Sequence, residues 1–174
     1  MRQDRVQLPT GGIVEEFFVW EYPPWVNVLG ITKAEEIVLI RQFRYGVGKV
    51  YFELPAGTVD LGDATAGKAN DSKTEDMILR AARRELLEET GFGGGSWQLW
   101  MTLAANPAIQ TNLTYTFLAT GVELLQPQAL EPTEEITVHL LRPGEVRSVL
   151  LGDEMIQALH AAPLLKYLLL NMAL

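Results

Sequence analysis

Arg84-Glu85-Leu86-Leu87-Glu88-Glu89-Thr90-Gly91-Phe92 is the stretch from which the rest of the chain can be read. It closes the clearest helical segment. Upstream, Ser72-Lys73-Thr74-Glu75 has the spacing of a capping box, in which hydroxyl and carboxylate each satisfy a free backbone N–H. Gly91 followed by Phe92 suits a left-handed C-terminal cap. Between the two signals lie good helix formers, among them Leu79, Arg80, Ala81, Ala82 and Leu86.

On a helix, residues three and four apart share a face, so Glu85, Glu88 and Glu89 project from one side. At about 100° per residue, Glu85 and Glu89 fall in the sector of Ile78, Ala81 and Ala82, which should face a sheet. Glu88 sits at the edge of that sector. A solvated face is the ordinary explanation of a Glu-rich helix, but carboxylates that continue an inward stripe need cations or donors to offset desolvation. Arg84 can pair with Glu88, yet one Arg cannot neutralise three Glu. A divalent cation can, and oxygen-only ligands favour Mg²⁺ or Mn²⁺ over zinc.

Working outward, the residues before this helix read as strands. Residues 6–8 and 13–20 flank the turn signal Pro9-Thr10-Gly11-Gly12. After Pro23-Pro24 come 25–31 and 36–43, and 50–54 is stopped by Pro55-Ala56-Gly57. Residues 60–73 are small and polar without periodicity, as in an exposed loop. Past the helix, 97–104, 113–119 and 136–141 read as strands. Pro143 can open a short helix over 144–150, and a last helix is expected over 153–171. With no repeat or linker, this is one α+β domain over 1–174.

Bulk properties narrow the partners. A net charge of -8 over 174 residues disfavours nucleic acid and anionic membranes, while a local cation still permits a small anionic substrate. The chain has no cysteine, which removes thiolate chemistry. The N-terminus lacks the apolar core of a signal peptide, and residues 164–174 are too short to span a bilayer, so a cytoplasmic location is expected.

Gly57 followed by the 84–92 stretch resembles the Nudix hydrolase signature. The likeness extends over nearly the whole chain: Ile40-Arg41-Gln42-Phe43-Arg44-Tyr45, Glu53-Leu54-Pro55-Ala56-Gly57 and Pro107 resemble the ADP-ribose and nucleoside-diphosphate-sugar pyrophosphatase branch. The resemblance implies an α/β/α sandwich with a mixed sheet and an N-terminal antiparallel strand region. It implies Glu85 and Glu89 as the main Mg²⁺ ligands, Glu88 assisting, the Ala56 carbonyl as a further ligand, and Arg84 orienting the carboxylates. Residues 1–45 would include a homodimer-forming region, and 57–92 would form the signature loop and helix. Two departures stand out. The interval from Gly57 to Arg84 is longer than the pattern has, so 60–73 reads as an insertion, with Asp63, Glu75 and Asp76 competing for the place of the signature's spaced Glu. Ala108 and Asn112 replace the Gly and Glu that ADP-ribose enzymes often carry.

The expected reaction is Mg²⁺-dependent hydrolysis of the diphosphate bridge of ADP-ribose or a nucleoside-diphosphate sugar, which needs charge neutralisation and a positioned, deprotonated water. The resemblance puts the general base on a late loop, here Glu131-Pro132-Thr133-Glu134-Glu135, with Glu134 first and Glu135 second. Arg41 and Arg44 are expected to share one strand face and meet diphosphate oxygens, for which the guanidinium fork is suited. Trp20, Tyr22 and Trp25 bracket Pro23-Pro24 and suit either a nucleobase or a dimer contact. His139 and His160 lack a second ligand at metal spacing and read as structural. Two rival functions are a triphosphate pyrophosphohydrolase of the same superfamily and a non-catalytic nucleotide sensor. Pro107 and the long N-terminal strand region speak against the first, and the retained carboxylates against the second.

Overall fold

Nearly every residue of Trp25-Val26-Asn27-Val28-Leu29-Gly30-Ile31-Thr32 is buried, as befits a strand covered on both faces. In the computed structural model, which describes residues 1–59 and 72–171, this strand is β3 and lies inside a mixed sheet. The chain order is β1 (Arg2–Gln7), β2 (Ile13–Val19), β3 (Trp25–Thr32), β4 (Ile37–Arg44), β5 (Lys49–Glu53), β6 (Ala56–Thr58), α1 (Ser72–Thr90), β7 (Phe92–Gly93), β8 (Ser96–Ala104), β9 (Leu113–Leu124), β10 (Ile136–Leu141), α2 (Pro143–Leu151) and α3 (Ala158–Asn171). The path through the sheet is β10-β4-β3-β9-β7. β3 and β9 run parallel, whereas β10, β4, β5, β6 and β8 pair antiparallel with their neighbours.

Alternation along β3 sorts its side chains between two cores. Val26 and Val28 join Val38, Ala82, Leu86, Phe117 and Ala119 under α1. Leu29 and Ile31 join Leu39, Phe52, Leu118, Val146 and Leu164 under α2 and α3. The result is the expected α/β/α sandwich.

The sheet is split, and the split positions the site. β3 and β4 pair only at Gly30↔Val38 and Ile31↔Ile37. Beyond that point β4 pairs with β5, from Ile40↔Glu53 to Arg44↔Lys49, and β3 pairs with β6, from Trp25↔Thr58 to Asn27↔Ala56. Leu54-Pro55 crosses the fork between β5 and β6, and the Pro55 carbonyl accepts from Val28 N–H at 2.9 Å. Pro55 has no N–H of its own to continue a ladder, so a strand break falls there.

Several boundaries differ from the sequence reading. β1 begins at Arg2, because cross-hairpin pairing and the Arg2–Glu21 and Arg5–Glu15 ion pairs extend it through polar residues. β6 forms directly after Pro55, where a stop was expected, because the β3 edge offers it a partner. β9 continues past Ala119 to Leu124. Gly121, at φ 75°, supplies the extra residue where the register with β3 shifts between Ile31 and Thr32. The last helix starts at Ala158 instead of 153, because Gly152 ends α2, Asp153 has φ 56°, and the Glu154 carbonyl accepts from Phe52 N–H. Residues 60–71, with Asp63 and most of the expected insertion, lie outside the described residues.

β1 and β2 form a separate two-stranded sheet that packs mainly on itself, leaving Leu8, Ile13 and Phe18 exposed. Among the described residues no helix is long and apolar enough to cross a membrane.

Candidate active site

The last turns of α1 carry Glu85, Glu88 and Glu89 with no basic residue in the final turn, against the preference of a helix C-terminus for cations. Such an arrangement lowers helix stability, so its compensation has to be sought in tertiary contacts. Glu89 is buried and its Oε2 accepts from Ala56 N–H at 2.8 Å. Glu85 packs against Gly57, where a Cβ would stand 2.0 Å from Glu85 Oε1. No other residue could occupy position 57 without displacing that carboxylate. Glu88 is half-exposed, and Arg84 ties the set together: it donates to Glu88 Oε2 at 2.7 Å, to Glu85 Oε1 at 2.7 Å and to the Thr58 carbonyl at 3.2 Å. The ordering read from the helical wheel, with Glu85 and Glu89 inward and Glu88 at the edge, is the one the fold adopts.

Burial dominates the electrostatics of the pair. It pushes the Glu89 carboxyl up to about 8; the Ala56 amide and Arg44 oppose the rise, and Glu85 and Glu134 add to it. Burial likewise raises Glu85, against the pull of Arg84 and with further repulsion from Glu88 and Glu134. Glu134 therefore lies within electrostatic reach of both. Its loop is tied to the end of α1: Ala129 N–H donates to the Glu88 carbonyl at 2.8 Å, and Gln128 Nε2 to the Glu89 carbonyl at 2.6 Å. Glu134 folds back to accept from Glu131 N–H at 2.9 Å, while Glu135 is exposed.

Arg41 and Arg44 do not share a face, which corrects the expectation drawn for them. Three residues apart on a strand, they point to opposite sides, because strand side chains alternate with period two. Arg44 makes a bidentate pair with buried Glu53, at 2.7 and 2.5 Å, and feels Glu89 and Glu134. Arg41 lies on the other side over the Phe52 ring, 5.0 Å from its centroid, near His139. Of the two, only Arg44 reaches the carboxylate site.

A cavity of about 370 Å³ opens beside this site, lined by Trp25, Asn27, Arg44, Ala56, Thr114 and His160 among others. Trp25 stands at the end of an aromatic row: Trp20 stacks on Tyr22 at 6.4 Å, and Tyr22 lies 6.1 Å from Trp25. Pro107 is exposed in a turn whose Ile109 carbonyl accepts from Trp20 N–H at 2.7 Å. Neither Trp20 nor Pro107 lines the cavity. His160, read from sequence as structural, both supports the fold and forms cavity wall: its Nδ1 accepts from Leu54 N–H at 2.9 Å. Glu53, Asn27 and Thr114 were given no role from the sequence. A single Asn in the apolar run Trp25-Val26-Asn27-Val28-Leu29 was the available signal.

Among the described residues, no three His, Cys, Asp or Glu side chains close around a common point. The donor chemistry nevertheless fits a hard divalent cation. Two desolvated carboxylates face Ala56-Gly57 at the start of β6, whose glycine leaves room for one of them; burial first, and repulsion between the carboxylates second, holds their pKa values high until a cation offsets both.

Comparison with known proteins gives the chain a family. The NUDIX domain family matches residues 21–161. An ADP-ribose pyrophosphatase of Mycobacterium tuberculosis (strain ATCC 25618 / H37Rv) is 30% identical over 166 residues, covering 95% of this chain and 74% of that protein. One of Bacillus subtilis (strain 168) is 25% identical over 151 residues, covering 81% and 74%. A crystal structure of an ADP compounds hydrolase superposes with a TM-score of 0.72 at 17% identity, over 99% of this chain and 87% of that one, a likeness of fold. With its signature helix packed against Gly57 and a matching family over most of its length, the chain belongs to the Nudix family as a pyrophosphohydrolase, in the branch that its ADP-ribose pyrophosphatase relatives represent.

Proposed function

We propose that this protein hydrolyses the diphosphate bridge of ADP-ribose or another nucleoside-diphosphate sugar, giving a nucleoside monophosphate and a sugar phosphate. The observation that carries the reading is the packing of Glu85 and Glu89 against Ala56-Gly57, with Arg44 and Glu134 within electrostatic reach of Glu89. Glu85, Glu89 and the Ala56 carbonyl would hold Mg²⁺, with Glu88 assisting. When bound, the ion supplies positive charge against the diphosphate oxygens and makes water more acidic.

The chain's own residues account for the remaining steps. Arg84 holds Glu85 and Glu88 in place through its two 2.7 Å bonds. Arg44 presents a guanidinium, kept in position by Glu53, toward the diphosphate. Glu134 accepts the proton of the attacking water as a new P–O bond forms and the bridging P–O bond breaks. The bridging oxygen leaves on the departing phosphate. Trp25, with Tyr22 and Trp20 behind it, offers a stacking face for the base.

A homodimer is part of this proposal. An isolated hairpin is marginally stable in water, and β1–β2 leaves apolar side chains exposed, as a surface that a second copy covers would.

The test is a substrate panel with Mg²⁺, including ADP-ribose, GDP-mannose, UDP-glucose and nucleoside triphosphates, with products separated. Cleavage of diphosphate sugars to monophosphates is expected. Turnover of triphosphates alone would overturn the proposal.

A further inference from the structure

We propose that Asn27 and Thr114 form a neutral subsite on the α3 side of the fork that takes the hydroxyl groups of the substrate's sugar. The inference rests on the diphosphate-sugar reading above and adds where, and by which side chains, the sugar is recognised.

Pro163 lies inside α3. Proline has no N–H to give to the residue four positions earlier, so the Leu159 carbonyl is left without its helical donor. Asn27 Nδ2 takes that place, donating to Leu159 O at 2.9 Å. This bond fixes which end of the amide points where, because a carbonyl can only accept. Asn27 Oδ1 is therefore an acceptor. It is fully buried in a residue that lines the cavity, and it has no partner among the described residues. Thr114 is 3% exposed, lines the same cavity, and its Oγ1 is likewise unpartnered. The parallel β3–β9 register pairs Trp25 with Thr114 and Asn27 with Thr116, so these polar groups stand side by side on one face of the sheet.

The charge of the wall selects the ligand. Arg44, about half-exposed and held by Glu53, is the charge assigned above to the diphosphate. His160 accepts at Nδ1 from Leu54 N–H, which leaves the proton on Nε2, and burial holds it neutral. The most buried polar groups of the wall are thus neutral: an obligate acceptor at Asn27 and a hydroxyl at Thr114. A phosphate would meet an acceptor it cannot satisfy. A sugar hydroxyl both donates and accepts, and so answers Asn27 Oδ1 and Thr114 Oγ1 together. The cavity's 370 Å³ lies within the range of small-ligand sites, about 300–1,000 Å³.

The experiment compares ADP-ribose with ADP butyl ester, which has the same diphosphate but no hydroxyl on its second group. Thr114→Val removes only an oxygen that has no protein partner to lose, so its thermal midpoint should not fall. For ADP-ribose its KM should rise about tenfold with kcat within about twofold, the loss of one hydrogen bond to ligand. The rise should be confined to the hydroxylated compound, and Thr114→Ser should reverse it. An unchanged KM for ADP-ribose would overturn the subsite. An equal rise for both compounds would also overturn it, assigning the wall to base or phosphate. If the wild type cleaves neither compound, nor GDP-mannose nor UDP-glucose, the diphosphate-sugar reading itself fails. Calorimetry then decides the subsite alone: ribose 5-phosphate binding more tightly than butyl phosphate in wild type, and not in Thr114→Val, upholds it, and no difference overturns it.

Discussion

The two sides of the fork are built on opposite electrostatic principles. On the α1 side, acidic groups crowd at a helix end that disfavours them, and burial drives the Glu89 carboxyl up to about 8. On the α3 side, the buried polar groups are neutral: an asparagine, a threonine and a histidine whose burial lowers it to about 4. The difference separates chemistry from recognition. Clustered like charges keep a high affinity for a cation, whereas neutral donors and acceptors discriminate between ligands by whether each bond is answered.

The sharpest way to break this comparison is to neutralise the charged side. Glu85→Gln and Glu89→Gln should each lower kcat by roughly 10³-fold or more at saturating Mg²⁺, while thermal melts show no loss of stability, since a neutral amide replaces a carboxyl that burial disfavours. Activity near wild type in both variants would remove the metal-site assignment. Glu134→Gln should cost roughly 10²-fold in kcat, with Glu135→Gln within a few-fold, if Glu134 is the base. The reverse order would move that role by one residue.

Removing Arg44 tests the connection between the two sides. Arg44→Ala strands the Glu53 carboxylate, which is 4% exposed. Because Arg44 itself is about half-exposed, the loss should be about 2 kcal/mol by urea unfolding, below the range for a fully buried pair. Arg41→Ala, on the opposite strand face, should leave kcat largely unchanged.

The smallest effect is in the pH dependence of stability of the chelator-treated protein, where the two sides have opposite signs. His160, facing Glu53 and Arg44, titrates at about 4 in the fold against an ordinary 6.5, so the unfolded chain binds more protons between those values and stability falls as pH drops through them. Glu89 is raised from 4.5 to about 8, so there the folded chain binds more protons and stability rises as pH falls through that window. The two should largely offset near pH 5–6 in the wild type. Because burial raises Glu85 as well, the double variant Glu85→Gln with Glu89→Gln should uncover the His160 contribution as a drop of about 1–2 kcal/mol between pH 6.5 and 5. A flat profile in that variant would contradict the histidine assignment.

Much of this was legible in the sequence, and the legible parts share a cause. The α1 carboxylates could be ordered because a helix carries its own geometry: Ile78, Ala82, Glu85 and Glu89 lie on one stripe whatever the helix packs against. The strand and helix patterns by themselves gave an α+β class; the α/β/α layering was implied by the resemblance of the 84–92 stretch and its flanks to the Nudix signature. Strand ends were less legible. β6 depends on an edge offered by β3, and the late start of α3 depends on Phe52 taking the Glu154 carbonyl, neither of which is local.

What the sequence determined by itself, then, is the carboxylate stripe, which rests on a periodicity within one segment, and the family resemblance with the layered fold it implies, which rests on short local motifs. Only the tertiary structure decided that Arg44 and not Arg41 reaches the carboxylates, that Glu53 anchors Arg44, and that Asn27, Thr114 and His160 gather in one cavity. Those groups are distant in the chain, and the splitting of β3 from β4 brings them together; no spacing within a segment encodes a contact between Asn27 and Leu159.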